Sequence, residues 1–152
     1  MWKVIGTIIL IGIGLFLLIQ LVPYGRNHTN PPVVQEPTWD SPQTRQLAVR
    51  ACFDCHSNET VWPWYSNIAP VSWLLANDVA EGRRTLNFSE WGRQQRGLED
   101  LVEVVQEGGM PPFYYIPLHP QAQLSSPERQ ALAQGLAATA GVQGEGRQNE
   151  SD

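Results

Sequence analysis

The chain has 152 residues, which leaves room for one domain of about 100 residues once a stretch at each end is set aside. It carries 10 basic and 15 acidic residues, a net charge of -5, whereas a nucleic-acid binder concentrates positive charge on one face. Arginines do cluster between positions 83 and 96, but acidic residues follow them directly, which is typical of a mixed-charge surface. We therefore expect no nucleic-acid partner.

An uncharged apolar segment, VIGTIILIGIGLFLLIQLV, occupies positions 4–22. As a helix it would span roughly 28 Å at about 1.5 Å per residue, close to the thickness of the hydrocarbon core of a bilayer. A cleaved signal peptide is the alternative, but its apolar region is shorter and ends in a small-residue cleavage site, which LVPY does not offer. We predict an uncleaved transmembrane anchor over residues 1–22, with membrane lipid as its partner. The positive-inside rule, applied to Lys3 and Arg26, slightly favours a domain outside the cytoplasm.

Two further stretches lack any helical or strand period. Residues 23–37 are rich in proline, which is typical of an extended, semi-rigid tether. Residues 141–152 mix glycine with charged residues, which predicts a disordered tail. The folded domain is then expected over residues 38–140.

Four amphipathic helices are predicted inside this domain. Their ends carry the capping residues, prolines and glycines that ordinarily mark helix termini. These markers are Ser41 and Pro42 for the first helix, Pro70 for the second, Gly108 for the third, and Ser126, Pro127 and Gly141 for the fourth. No segment alternates with a period of two, so the fold class is expected to be all-α, with long loops at 56–69, 85–97 and 108–125.

The two cysteines of the chain lie in one short motif, CFDCH. Cys52 and Cys55 are one helical turn apart, so both can reach the two vinyl groups on one edge of a haem, and His56 can then ligate the iron. This C-x-x-C-H spacing is the attachment pattern of a c-type haem. We predict one covalently attached haem c, with His56 as an axial ligand.

Other uses of a cysteine pair fit the sequence less well. A structural zinc site needs four ligands, yet the chain has no second C-x-x-C and no H-x₃₋₅-H. A thioredoxin-like redox pair belongs to a βαβ unit, and no such pattern is present. A disulfide between Cys52 and Cys55 in an oxidising compartment stays open as an alternative.

Met110, in QEGGMPPFYY, is the predicted second axial ligand. The glycines before it allow a sharp turn, and Pro111 after it favours an extended backbone that aims the sulfur. A methionine that merely fills a gap in the core would more often lie on a helix face. His119 and His28 are the alternative ligands, although His28 lies in the predicted tether.

The walls of the haem pocket are expected to include aromatic residues that directly follow the motif. Trp62 and Trp64 are predicted to shield one haem face from water. Arg83 and Arg84 are candidate partners for the haem propionates, because a guanidinium can bind a carboxylate through two hydrogen bonds. A solvated helix end is the competing interpretation for both arginines.

These residues resemble the bacterial haem-binding domain proteins, a small family of single-haem c-type cytochromes. The resemblance covers Leu47 to Ala137. It rests on a series of short motifs in order along the chain: CFDCHSNET, WPWYSNIAPVSW, DVAEGR, LNFSEW, GGMPP and LSSPER. It implies a cytochrome c-like helical fold, covalent haem on Cys52 and Cys55, and His56 as an axial ligand. It supports Met110 only by analogy with cytochromes c in general.

The function predicted from these features is single-electron transfer by a mono-haem c-type cytochrome, anchored in the bacterial cytoplasmic membrane and facing the periplasm or extracytoplasmic space. Ligation by His56 and Met110 would leave no iron position for a substrate. The competing class is a haem-based sensor or a peroxidase-like enzyme with an open or labile sixth position, for which His119 is the best polar distal group. A scaffold that uses haem only for stability is a third possibility. An unidentified redox protein is the expected partner.

Overall fold

The computed structural model describes residues 1–142 and is helical, which confirms the all-α expectation. Within residues 1–142 the six α-helices are α1 Trp2–Ile19, α2 Pro42–Ala51, α3 Phe53–His56, α4 Val71–Thr85, α5 Leu101–Gln106 and α6 Ser126–Ala140. Three short 3₁₀ helices lie in the long loops, at Trp64–Asn67, Ile116–Leu118 and Pro120–Ala122. Over the described residues no strand forms, and the nearest approach to one is an isolated bridge between Gln35 and Glu90.

Helix α1 is long and apolar enough to cross a membrane, with a mean hydropathy of 2.4 and no residue buried against the rest of the protein. It ends at Ile19, three residues before the apolar segment of the sequence ends. The next helix is α2, where the Ser41 hydroxyl accepts a hydrogen bond from the Thr44 N–H at 3.2 Å and Pro42 takes the first helical position.

The last helix starts one residue earlier than its sequence markers suggest. Ser125 is the N-cap of α6, and it forms a reciprocal capping box with Glu128. Gly141 ends α6 with a φ of 67°, in the left-handed region that glycine adopts without steric cost. Of the predicted tail, 141–152, only the first two residues belong to the part that the structure describes.

The core lies where α2, α5 and α6 meet. Leu132 and Leu136 of α6 are fully buried there, with Val105 of α5. Gly135 lets α6 cross α2 closely, because a Cβ at that position would lie 2.7 Å from Cγ2 of Thr44. This packing holds α2 in place, and α2 leads directly into the cysteine motif.

Residues 23–37 lie along the domain rather than apart from it. The Asn30 side chain donates a hydrogen bond to the Thr60 carbonyl at 2.9 Å, and Gln35 exchanges backbone hydrogen bonds with the loop at Ser89 and Trp91. Thus the segment that the sequence suggested was a spacer is bonded to the folded unit, because its polar groups meet partners that are distant in sequence.

Candidate haem site

The motif lies at a break between two helices. Helix α2 ends at Ala51, and α3 begins at Phe53 after a single non-helical residue, Cys52. The N–H of His56 donates to the Cys52 carbonyl at 2.9 Å, which closes the turn. Phe53 is buried and stacks on Phe88 at 5.6 Å, so one side of the turn is fixed to the core. The cysteines and His56 line a cavity instead.

This main cavity has a volume of about 360 Å³ and mostly apolar walls. It brings together four of the predicted site residues: Cys52, Cys55, His56 and Met110. Helices α4 and α5 supply much of the remaining apolar lining, together with the loops that follow them: Leu86, Phe88, Leu101, Val104, Val105, Pro111 and Pro112. A flat, largely apolar cofactor is the kind of group that such a cavity accommodates.

His56 is oriented by a backbone carbonyl that sequence reasoning did not find. Its Nδ1 lies 3.1 Å from the carbonyl oxygen of Leu86. A carbonyl can only accept, so Nδ1 carries the proton and Nε2 keeps its lone pair. Burial lowers the pKa of His56, which also favours the neutral ring. The imidazole is therefore held in the tautomer that a metal ligand through Nε2 requires.

Helix α4 packs backbone to backbone against the motif at Gly82. A Cβ at this position would lie 2.9 Å from the carbonyl carbon of Cys55 and 3.1 Å from its Cβ. Only glycine allows this approach, which gives the glycine of DVAEGR a physical role. The two cysteines are unbonded and half-buried, and their apolar surroundings raise the pKa of each thiol to about 12.

The loop that carries Met110 turns back on α5. Gly108 has a φ of 76°, and the N–H groups of Gly109 and Met110 both donate to the Val104 carbonyl, at 2.9 and 3.3 Å. These bonds place Met110 at the cavity wall, with 36% of its surface exposed. The glycine pair thus does what the sequence suggested, which is to let the chain reverse next to the cavity.

Two tyrosines fasten the same loop to the helices opposite. The Tyr115 hydroxyl donates to the carboxylate of Asp54, which lies between the two cysteines. The Tyr114 hydroxyl donates to Asp78 of α4 at 3.1 Å. We call these two hydrogen bonds the tyrosine clasps. They were not predicted, because each joins residues more than 30 positions apart.

The chemistry of these groups fits a haem. A neutral imidazole nitrogen, a thioether and two protonated thiols surround one apolar cavity, and they belong to the ligand and attachment groups of c-type cytochromes. The model of the family described as the haem-binding domain matches residues 14–138, more than half of the chain. The chain belongs to the haem-binding domain family. No curated protein and no solved structure matches it significantly.

Within the haem-binding domain, His119 does not share the main cavity with His56. It lines a second, smaller pocket of about 80 Å³. Both of its ring nitrogens have partners, since Nδ1 lies 3.1 Å from the Tyr115 carbonyl and Nε2 lies 3.2 Å from the Tyr65 hydroxyl. The ring also stacks on that of Tyr115 at 3.8 Å. His28, the other alternative ligand, bonds the Ser66 carbonyl at 3.2 Å.

The structure does not bring the remaining four predicted site residues to the lining of either cavity. Trp62 stacks on His28 at 4.6 Å, and Trp64 is 76% exposed. Arg83 instead donates to the Ser57 carbonyl at 2.8 Å and to the side chains of Asn30 and Thr60, while Arg84 pairs with Glu81 on the surface.

The charged residues that line the main cavity are all acidic: Asp54, Asp78, Glu81 and Asp100. No arginine or lysine of the described residues joins them in that lining. The cavity therefore differs from the pocket that the sequence suggested, in which Arg83 and Arg84 would face the propionates.

Proposed function

We propose that the protein is a mono-haem c-type cytochrome, anchored in the bacterial cytoplasmic membrane by α1, that transfers single electrons on the extracytoplasmic side. The observation that supports this best is the main cavity, where Cys52, Cys55, His56 and Met110 meet. When bound, the haem supplies an iron that changes oxidation state by one electron. The partner is a redox protein.

The roles of the four residues follow from their chemistry. Cys52 and Cys55 hold the cofactor through thioethers, as free thiols at the wall of the cavity can. His56 presents Nε2, because Leu86 occupies its other nitrogen. Met110 supplies a soft, neutral sulfur that favours the reduced state. With His56 and Met110 as ligands, the iron would have no open position for a substrate.

The test of covalent attachment is direct. The chain, produced in a host with haem-attachment machinery, should give a haem-stained band at its own mass on a denaturing gel. Cys52→Ser combined with Cys55→Ser should lose the stain while a control, Ser57→Ala, keeps it. If acid acetone extracts all the haem from the parent protein, the thioether assignment is wrong.

Retention of α1 is tested by the intact mass of the detergent-extracted protein. A mass that includes residues 1–22 supports the anchor. A mass that begins near Asn27 or Thr38 would mean that the segment is a cleaved signal and that the cytochrome is soluble.

A haem-based sensor or peroxidase-like enzyme is the second candidate, and the partial exposure of Met110 favours it. A ligand that is 36% exposed on a loop could leave the iron and open a position to a small molecule. Spectra of both oxidation states with and without carbon monoxide distinguish the candidates. An electron carrier should bind carbon monoxide slowly or not at all, whereas a sensor should bind it readily.

A further inference from the structure

The residue that follows α1 is fixed to the domain by its side chain. Nε2 of Gln20 donates to the Ala69 carbonyl at 2.9 Å, and the Ala69 N–H donates back to Oε1 of Gln20 at 3.0 Å. Arg26 adds hydrogen bonds to Gln20 Oε1 at 3.2 Å and to the Asn67 carbonyl at 3.1 Å. The end of the helix and the 67–69 loop therefore lie side by side.

If α1 spans the bilayer, this contact fixes the distance of the 67–69 loop from the membrane. The inference therefore rests on the proposed function. Gln20 then lies at the membrane surface, directly after the apolar helix. Consecutive Cα atoms are 3.8 Å apart, so Val71 lies within about 8 Å of Ala69. The headgroup region extends roughly 5 to 7 Å beyond the hydrocarbon core, and these residues fall within or next to it.

An exposed apolar surface lies next to this loop. It consists of Trp64, Val71, Leu74 and Leu118, and we call it the apolar face. Trp64 is 76% exposed and Leu118 is 64% exposed. The last three residues line the same small pocket, and Trp64 joins them through the ring of Tyr65, which lines that pocket and lies 5.7 Å from the Trp64 ring. Contiguous exposed apolar surface usually marks an interaction site.

We propose that the apolar face is seated in the membrane–water interface, with lipid headgroups and upper acyl chains as its partner. Its continuity with the anchor argues for lipid, since the loop bonded to Gln20 runs directly into the face at Val71. Tryptophan is enriched at this depth because its ring is apolar and its N–H is polar. Trp64 therefore contacts lipid rather than haem, and the anchor and face together fix the domain against the bilayer.

The test uses the full-length haem-loaded chain in liposomes of phosphatidylethanolamine and phosphatidylglycerol. Leu118→Cys is labelled with a nitroxide, and Val49→Cys on α2, which is exposed but outside the face, is the matched control. In the reduced protein, the depth of the nitroxide in the bilayer is measured from its collision rates with dissolved oxygen and with a water-soluble nickel chelate. The expected result is a severalfold higher oxygen-to-nickel ratio at position 118 than at position 49, and a lower ratio at 118 when Trp64→Ser is added.

Equal nickel accessibility at both positions would overturn the proposal. Protection of position 118 in native membranes but not in pure lipid would also overturn it, in favour of a protein partner. If Leu118→Cys does not give the parent haem spectrum, Leu74→Cys carries the same expectation.

Failure of the proposed function has separate signatures. A chain that does not float with liposomes lacks the anchor, and this inference falls with it. A parent chain that takes up the label has free Cys52 and Cys55, which counts against covalent haem alone. The depth is then read from the difference between the labelled variant and the labelled parent.

Discussion

The main cavity and the small pocket share a wall formed by Cys55, Asp78, Pro112, Tyr114 and Tyr115, but they hold their histidines in different states. Nδ1 of His56 is hydrogen-bonded to the Leu86 carbonyl, and Nε2 has no hydrogen-bond partner among the described residues. His119 has partners at both nitrogens. The difference shows that proximity to a cofactor site does not make a histidine a ligand. A ligand also needs one nitrogen that no protein group occupies.

The largest expected effect separates the two histidines directly. His56→Ala removes the one imidazole among the described residues that line the main cavity, so we expect the ligand-dependent absorption spectrum of the parent to be lost, although the thioethers would keep the haem attached. His119→Ala should keep the absorption spectrum of the parent, because its ring belongs to the small pocket. The measurement is the absorption spectrum of both oxidation states, with pyridine haemochrome absorbance as the check of haem content. Equal spectral changes in the two variants would contradict the assignment of the two histidines to different cavities.

The next effect concerns Met110, the proposed sixth ligand. Met110→Ala removes the thioether, so we expect three linked changes: loss of the sulfur-to-ferric-iron charge-transfer band, a lower reduction potential and rapid carbon monoxide binding. The potential should fall by a measurable fraction of the ~0.8 V range that axial ligands span. Absorption spectroscopy and a redox titration measure these changes.

His119→Ala is the matched control for Met110→Ala and should leave all three properties close to those of the parent. If His119→Ala rather than Met110→Ala opens the iron, the main cavity does not contain the full ligand set. A parent that already binds carbon monoxide readily would favour the sensor or peroxidase function.

A smaller effect tests the packing behind the shared wall. Gly82→Ala places a methyl group against the backbone of Cys55, and we expect a loss of about 3 kcal/mol in the free energy of unfolding. Helix propensity alone predicts the opposite sign, a gain of up to about 1 kcal/mol. Denaturant unfolding of the haem-loaded protein measures the difference. A stabilised variant would show that α4 does not press on the motif.

The smallest effect concerns the tyrosine clasps. Tyr115→Phe removes a half-buried hydrogen bond to a carboxylate, and we expect a loss of about 1.5 kcal/mol with faster carbon monoxide binding, because the Met110 loop is less firmly held. Tyr114→Phe, which is more exposed, should cost less than about 0.5 kcal/mol. Unfolding and flash-photolysis measurements compare them. Carbon monoxide binding as slow as in the parent in both variants would mean that neither clasp controls the loop.

The sequence predicted those features whose signals are local. Ser41 and Pro42 mark the start of α2, and the spacing of Cys52, Cys55 and His56 defines one turn that faces a cavity. The sequence favoured Met110 over His119 as the second ligand, but it could not show that the two line different cavities, since nine positions separate them and both lie in one long loop. The small pocket that holds His119 is built by α4 and by Tyr65, which are distant in sequence.

The features that the sequence did not predict depend on contacts between residues that are distant in the chain. Leu86 orients His56 through its backbone carbonyl, a group that every residue has. Trp64 follows the motif closely, yet its side chain is 76% exposed and lines neither cavity. Arg83 is drawn to the Ser57 carbonyl and to Asn30, a residue of the supposed spacer. The local sequence pattern does not predict these contacts.

The hydrogen-bonded course of residues 23–37 determines how this haem-binding domain can meet the proposed redox partner. A free proline-rich linker of that length would let the haem-bearing domain move away from the bilayer and reach electron acceptors far from it. Here Asn30 and Gln35 are hydrogen-bonded to the domain and Gln20 bonds the end of α1 to Ala69, so residues 23–37 do not act as a free linker between α1 and the domain. In the proposed setting, encounters with other membrane proteins then depend on lateral diffusion in the plane of the membrane, and a water-soluble partner has to travel to the surface.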